Sequence, residues 1–125
     1  MIFGTGIDHI EVERVRKKLT EDPEFKMGLF TEHEIAYCES KARSSQHFAA
    51  RFCAKEAFFK AIGTGWRNGF SHRDIQVVND ALGKPEIELS GVTADWAETK
   101  GLGRIHVSLS HLKETASAIV TIELK

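Results

Sequence analysis

Hydrophobic and polar positions follow two periods along this chain, and the changes of period mark out its elements. Over residues 2–10, Ile2, Phe3, Ile7 and Ile10 with Thr5 suit a pleated strand, and Gly4 and Gly6 leave room for a close neighbour. Asp8 falls near the end of that strand. From residue 12 to 19 the apolar positions Val12, Val15 and Leu19 have helical spacing, which turns Arg14 and Lys18 away from the core. Asp22-Pro23 opens a further helix with proline at its first position. Thr31 followed by Glu34 is a capping-box pattern, which predicts a helix over 32–40.

The stretch 46–62 predicts a longer helix, stopped by Gly63. Phe48, Phe52, Phe59 and Ile62 share one face with Lys55 among them, and Phe58 and the alanines extend the apolar surface. Such a helix is expected to be substantially buried. A second stripe of Ala49, Cys53, Glu56 and Lys60 places Glu56 one turn before Lys60.

The second half changes character. Residues 75–78 and 86–89 predict two strands around the turn-rich 79–84, and 92–100 predicts a short helix closed by Gly101. Strict alternation then runs through Ile105, Val107 and Leu109, and again through Ala116, Ala118, Val120, Ile122 and Leu124. The turn 111–114 makes these the strongest hairpin in the chain. Helices concentrated in the first half and strands in the second predict an α+β fold with a mostly antiparallel sheet.

Length adds one constraint: 125 residues suit one domain spanning 1–125, large enough to fold without disulfides or a structural metal. No apolar run approaches a membrane span and the N-terminal segment lacks a basic flank, so a cytoplasmic protein is expected. Cys38 and Cys53 stand far apart with no close-spaced partner, so they read as buried thiols rather than zinc ligands or a redox motif. A net charge of −1 gives no global pull toward nucleic acid. The run Arg14, Arg16, Lys17, Lys18 is locally basic; taken alone it reads as a solvated helix face, although it suits an acidic partner.

Candidate chemistry centres on the long helix. Glu56 and Lys60 could be an ordinary helix-stabilising pair. In so apolar a helix, however, a buried carboxylate needs a strong partner or a cation, and Asp8 is a possible second ligand. Two carboxylates with open coordination positions suit Mg²⁺ carrying water and substrate phosphate. Lys55 and Lys60 could neutralise phosphate oxygens, while the backbone at Gly63-Thr64-Gly65 could approach the substrate. The missing Gly-Lys-Ser/Thr signature argues against a P-loop, and the six histidines include no pair one helical turn apart to hold zinc. Ser108 and Ser110 have no evident His-Asp partners, which disfavours a serine hydrolase. Ser110-His111 at a strand end and Lys84 in the Gly83-Lys84-Pro85 turn could meet a phosphate, or be turn residues and nothing more.

Taken in order, these pieces resemble one family over almost the whole chain: the holo-[acyl-carrier-protein] synthases, the small bacterial 4'-phosphopantetheinyl transferases. The resemblance is carried by Gly6-Ile7-Asp8 with Arg14 downstream, Phe30-Thr31-x-x-Glu34, Arg51-Phe52-x-x-Lys55-Glu56-Ala57-x-x-Lys60-Ala61 and Gly63-Thr64-Gly65. It continues through Asn79-Asp80, Gly83-Lys84-Pro85 and Ser108-Leu109-Ser110-His111 with Ala116. One departure is Leu112, where relatives often carry a hydroxyl residue, which puts a contact to the coenzyme's 3'-phosphate in question.

The resemblance implies Mg²⁺-dependent transfer of the phosphopantetheine arm of coenzyme A to a serine of apo acyl carrier protein, releasing adenosine 3',5'-bisphosphate, in support of fatty acid biosynthesis. Asp8 and Glu56 would hold the metal, and Lys60 would act with them in catalysis. It also implies a homotrimer with active sites between subunits. Arg51, Lys84, Pro85, Ser110 and His111, with Lys60, Gly63 and Gly65, would bind coenzyme A there, while Arg14, Arg16, Lys17 and Lys18 would dock the acidic carrier. A pyrophosphate hydrolase with water in place of the carrier serine, and a non-catalytic coenzyme A or carrier-binding module, are the competing readings. No membrane or nucleic acid partner is expected.

Overall fold

The computed structural model describes residues 1–64 and 69–125. Its axis is the 19-residue helix α4 (Ser44–Ile62), numbered after β1 (Ile2–Glu11), α1 (Val12–Glu21), α2 (Pro23–Leu29) and α3 (Glu32–Glu39). After it come a 3₁₀ turn (His72–Asp74), β2 (Ile75–Asn79), β3 (Pro85–Leu89), α5 (Gly91–Lys100), β4 (Leu102–His111) and β5 (Thr115–Leu124).

The expected helix starts and stops are present with their chemistry. Asp22 accepts a hydrogen bond from the Glu24 amide with Pro23 in the first turn of α2. Thr31 and Glu34 form the reciprocal capping box of α3. α4 begins at Ser44, two residues before the sequence pattern suggested, and ends at Gly63, whose φ of 75° is a left-handed conformation that favours glycine.

The predicted antiparallel hairpins form in two separate sheets. The larger has the order β1-β5-β4, so the last strand of the chain is central and the first pairs with it. The smaller is the β2–β3 hairpin alone. In β5, Ala116, Ala118, Val120 and Ile122 are buried, and this inner face packs against α4. Gly4 and Gly6 let β1 approach α4 closely: a Cβ at either position would run into the carbonyl oxygen of Ala61 or Ala57. The opposite side of α4 meets α1 and α3, with Val15, Phe30, Phe48 and Phe58 buried between elements. α4 is thus surrounded rather than amphipathic, which explains apolar positions on most of its faces.

Candidate active site

The close packing of β1 on α4 brings Asp8 onto the turn of the helix that carries Lys60, one turn beyond Glu56. Asp8 lies opposite Ala118 in the strand register, and its side chain is only 17% exposed. Lys60, from the last turn of α4, donates from Nζ to Asp8 Oδ1 at 3.0 Å and to the Ile7 carbonyl at 3.0 Å. The helical pairing of Glu56 with Lys60 is therefore replaced: Lys60 reaches across to β1, and Glu56 Oε2 lies 3.0 Å from His72 Nε2. The reason is tertiary, because the strand and the 3₁₀ turn offer each side chain a shielded partner that a neighbour on an exposed helix face could not match.

Cys53, one turn before Glu56, is fully buried and donates to the Ala116 carbonyl at 3.5 Å. Burial, then the negative charge of Asp8, with Glu56 and against Lys60, pushes its thiol up to about 12. Burial likewise raises Cys38 to about 12; both thiols are buried, as expected, and held protonated. Lys60 holds Asp8 against α4 one helical turn beyond Glu56, so both carboxylates belong to the same end of that helix. Among the described residues there is no group of three or more histidine, cysteine or acidic side chains able to hold a metal. Two carboxylates beside a lysine instead fit Mg²⁺, a hard cation that keeps water and phosphate oxygens in its remaining positions.

Lys55 departs from the sequence expectation. It is fully buried, and Nζ donates to Glu34 Oε1 at 2.9 Å, to the His72 carbonyl at 2.9 Å and to the Ile75 carbonyl at 2.6 Å. All three ammonium donors are used, so this lysine has none left for a phosphate. Glu34 completes the arrangement, its Oε2 accepting from the Val77 amide at 2.8 Å. Burial lowers the lysine's pKa, opposed by Glu34. The family-like spacing of Glu34 and Lys55 is here a structural clamp that ties α3, α4 and β2 together.

A second cluster lies nearer the start of α4. Arg51 is buried; its Nη2 donates to Asn79 Oδ1 at 2.6 Å, its Cζ lies 4.1 Å from the centre of the Tyr37 ring, and its Nε is buried with no partner among the described residues. Lys41 Nζ lies 4.9 Å from the centre of that ring. His111 Nδ1 is 2.9 Å from Gln46 Oε1, and its ring meets the edge of His47 at 5.0 Å. Burial lowers the pKa of His47, helped by the neighbouring His111, Arg51 and Lys41. Sequence reading singled out Arg51 and His111 but gave no role to Tyr37, Lys41 or His47. Nothing in their spacing marks them, since the loop before α4 and the β4–β5 turn must fold first.

Lys84 and Pro85, at the start of β3, line a groove of about 460 Å³ with Arg104 and His106. Asn79 and Asp80 hold that turn: Asn79 Nδ2 donates to the Gly83 carbonyl, and Asp80 Oδ1 accepts from the Leu82 and Lys84 amides. Ser110 is exposed and registers with Ser117. Gly63 is exposed at the end of α4, whereas Gly65 lies outside the described residues. The basic helix divides. Arg14, Lys17 and Lys18 line a groove of about 440 Å³ with Val15, Phe25 and Phe52, whereas Arg16 pairs with Glu13 and lines a different cavity beside Arg43 and Lys113.

Comparison with known proteins agrees with this arrangement. The profile of the 4'-phosphopantetheinyl transferase superfamily matches residues 4–120. A curated relative, the holo-[acyl-carrier-protein] synthase of Geobacter sulfurreducens, is 50% identical over 125 residues, covering 98% of this chain and 98% of its own. Among solved structures, the holo-[acyl-carrier-protein] synthase of Neisseria meningitidis superposes with a TM-score of 0.89 at 35% identity, covering 98% of this chain and 99% of that one. The Bacillus anthracis holo-(acyl-carrier-protein) synthase, solved in complex with CoA (3',5'-ADP), has a TM-score of 0.82 at 38% identity, covering 100% of this chain and 99% of that one. The chain therefore belongs to the 4'-phosphopantetheinyl transferase superfamily, and within it to the holo-[acyl-carrier-protein] synthase family of enzymes.

Proposed function

We propose that this protein, acting as one domain over residues 1–125, transfers the 4'-phosphopantetheine arm of coenzyme A to a serine hydroxyl of apo acyl carrier protein. A new bond forms between the serine oxygen and the phosphorus carrying the pantetheine arm. The bond from that phosphorus to the bridging pyrophosphate oxygen breaks, releasing adenosine 3',5'-bisphosphate, and the serine proton is lost. The holo carrier would serve fatty acid biosynthesis, and the enzyme would act in the cytoplasm. The observation that carries the reading is the 3.0 Å contact of Asp8 on β1 with Lys60 on α4, one helical turn from Glu56.

Asp8 and Glu56 would hold Mg²⁺. When bound, that ion supplies neutralisation of charge on the pyrophosphate and leaving group. Lys60 keeps Asp8 oriented through its 3.0 Å bond and carries a third ammonium donor for a phosphate oxygen. With the nucleophile on the carrier, this chain needs no activated serine or cysteine, and the high pKa of Cys53 is consistent with that.

Coenzyme A would contact Arg51, whose buried Nε has no partner among the described residues, together with Lys60, Gly63, Gly65, Lys84, Pro85, Ser110 and His111. In a homotrimer, the turns of one chain would complete the metal face of its neighbour. Support comes from the outer face of the larger sheet, where Ile7 and Ile119 stand opposite each other at 64% and 43% exposure, an apolar pair suited to a subunit contact. Arg14, Lys17 and Lys18 rim an apolar floor of Phe25 and Phe52, a surface suited to an acidic amphipathic helix of the carrier. Arg16, held by Glu13, would act at the margin of that contact. No helix among the described residues is long and apolar enough to cross a membrane.

The deciding experiment is intact-mass measurement of apo acyl carrier protein incubated with the protein and coenzyme A, with and without Mg²⁺. The expected result is a metal-dependent gain of one phosphopantetheine arm. Release of free phosphopantetheine with the carrier unmodified would replace the proposal with a hydrolase. Coenzyme A binding without either product, tested with a carrier that a known transferase modifies, would leave a binding module.

A further inference from the structure

His72 has no place in the reaction so far, yet its ring is held on several sides. Its Nε2 lies 3.0 Å from Glu56 Oε2. One face of the imidazole stacks on Phe52, with centroids 6.2 Å apart and an interplanar angle of 5°. Phe59 meets it edge-on at 4.9 Å and 87°. The backbone is fixed as well, because the His72 carbonyl accepts from the buried ammonium of Lys55, itself paired with Glu34. Ser71 caps the short 3₁₀ turn by accepting from the Arg73 amide, and Asp74 closes its far side by accepting from Thr93 Oγ1 at 2.9 Å.

Each restraint removes a freedom that would otherwise be spread over several rotamers. A glutamate on a helix has three side-chain torsions, and a metal ligand with that freedom binds weakly until its carboxylate is oriented. Here one carboxylate oxygen is engaged by a ring that cannot easily turn, while the Glu56 side chain remains 33% exposed and accessible.

We propose that His72 is a positioning residue for Glu56: its imidazole fixes the carboxylate in the orientation that receives the divalent cation. The proposal rests on Glu56 being a metal ligand. His72 touches neither substrate nor cation and acts through Glu56. The Glu34–Lys55 clamp supports it in turn by fixing the backbone of the 3₁₀ turn.

Two substitutions separate the hydrogen bond from the packing. His72→Phe keeps an aromatic ring between Phe52 and Phe59 and removes the donor, whereas His72→Gln restores a donor without the ring. Mn²⁺ binding, followed by the spin-resonance signal of the free ion, is measured with coenzyme A present and carrier absent, beside Glu56→Gln, and thermal melting of each variant verifies folding. His72→Phe should bind Mn²⁺ about tenfold more weakly, with much of that loss recovered in His72→Gln. The Mg²⁺ concentration for half-maximal transfer should rise by the same factor, while the rate at saturating metal stays near that of the parent protein.

Unchanged Mn²⁺ affinity in His72→Phe, with binding lost in Glu56→Gln, would overturn the role of His72 and leave Glu56 as a ligand. Equal losses in His72→Phe and His72→Gln would also overturn it, since a donor would then not matter. Retained binding in a folded Glu56→Gln variant would remove Glu56 as a ligand, and the positioning role with it.

Discussion

Lys55 Nζ lies 2.9 Å from Glu34 Oε1, and neither side chain is exposed to solvent. This pair joins the capping box of α3 to the middle of α4, and through the His72 and Ile75 carbonyls it holds the segment leading into β2. Replacing Lys55 by methionine would strand the Glu34 carboxylate and two backbone carbonyls in a dry interior. The expected loss of stability is about 3–5 kcal/mol. Urea denaturation would measure it, and the double variant Glu34→Leu/Lys55→Met should lose less than the two single changes added together. A loss under about 1 kcal/mol for Lys55→Met, the range of an exposed pair, would contradict the clamp.

Gly6 makes a different kind of demand. An alanine methyl there would overlap the Ala57 carbonyl, so β1 must move away from α4. Gly6→Ala should cost about 2 kcal/mol or more. Asp8, two residues along the same strand, would shift with it, lowering transfer even below the melting temperature. Parent-like melting and turnover would show that the strand accommodates the methyl.

Arg14 is exposed on the rim of the Phe25–Phe52 groove, with Lys17 and Lys18 beside it. Arg14→Glu should raise the KM for the carrier about tenfold, equivalent to about 1.4 kcal/mol, with coenzyme A affinity unchanged. The KM of the parent protein should also climb with ionic strength. Loss of coenzyme A binding with carrier binding intact, followed by calorimetric titration, would assign this helix to the wrong substrate.

His47 supplies a pH signature. Burial first, then the charges of His111, Arg51 and Lys41, lower its pKa below the 6.5 of an unperturbed histidine. Protonation is thus harder in the folded state, so the unfolded chain binds more protons in that window. Stability associated with His47 is fully present above pH 6.5 and is lost as pH falls through the lowered value. Proton NMR should place its titration midpoint under 6.5, and His47→Phe should flatten the acid limb of stability against pH. A midpoint at or above 6.5 would show that neither burial nor the surrounding cations govern it.

Local chemistry made much of this protein legible before folding. The capping box at Thr31 and Glu34, the proline start of α2, the Gly63 stop and the alternating β4–β5 hairpin depend on neighbours a few residues away, and all are present. The ordered motifs also pointed to Asp8, Glu56 and Lys60, because side-chain type and spacing reveal which groups can serve a phosphate. The sequence alone could not establish which groups meet. Pairing of β1 with β5 and the glycine-mediated contact with α4 bring Asp8 to Lys60 across a long stretch of chain, breaking the expected pairing with Glu56. The same long-range packing buries Lys55, sets His72 against Glu56 and gathers Tyr37, Lys41 and His47 around Arg51 and His111. Helix periods and caps are set by short-range sterics and hydrogen bonds; the partner of a charge is decided by which elements exclude water together, and only the tertiary structure determines that.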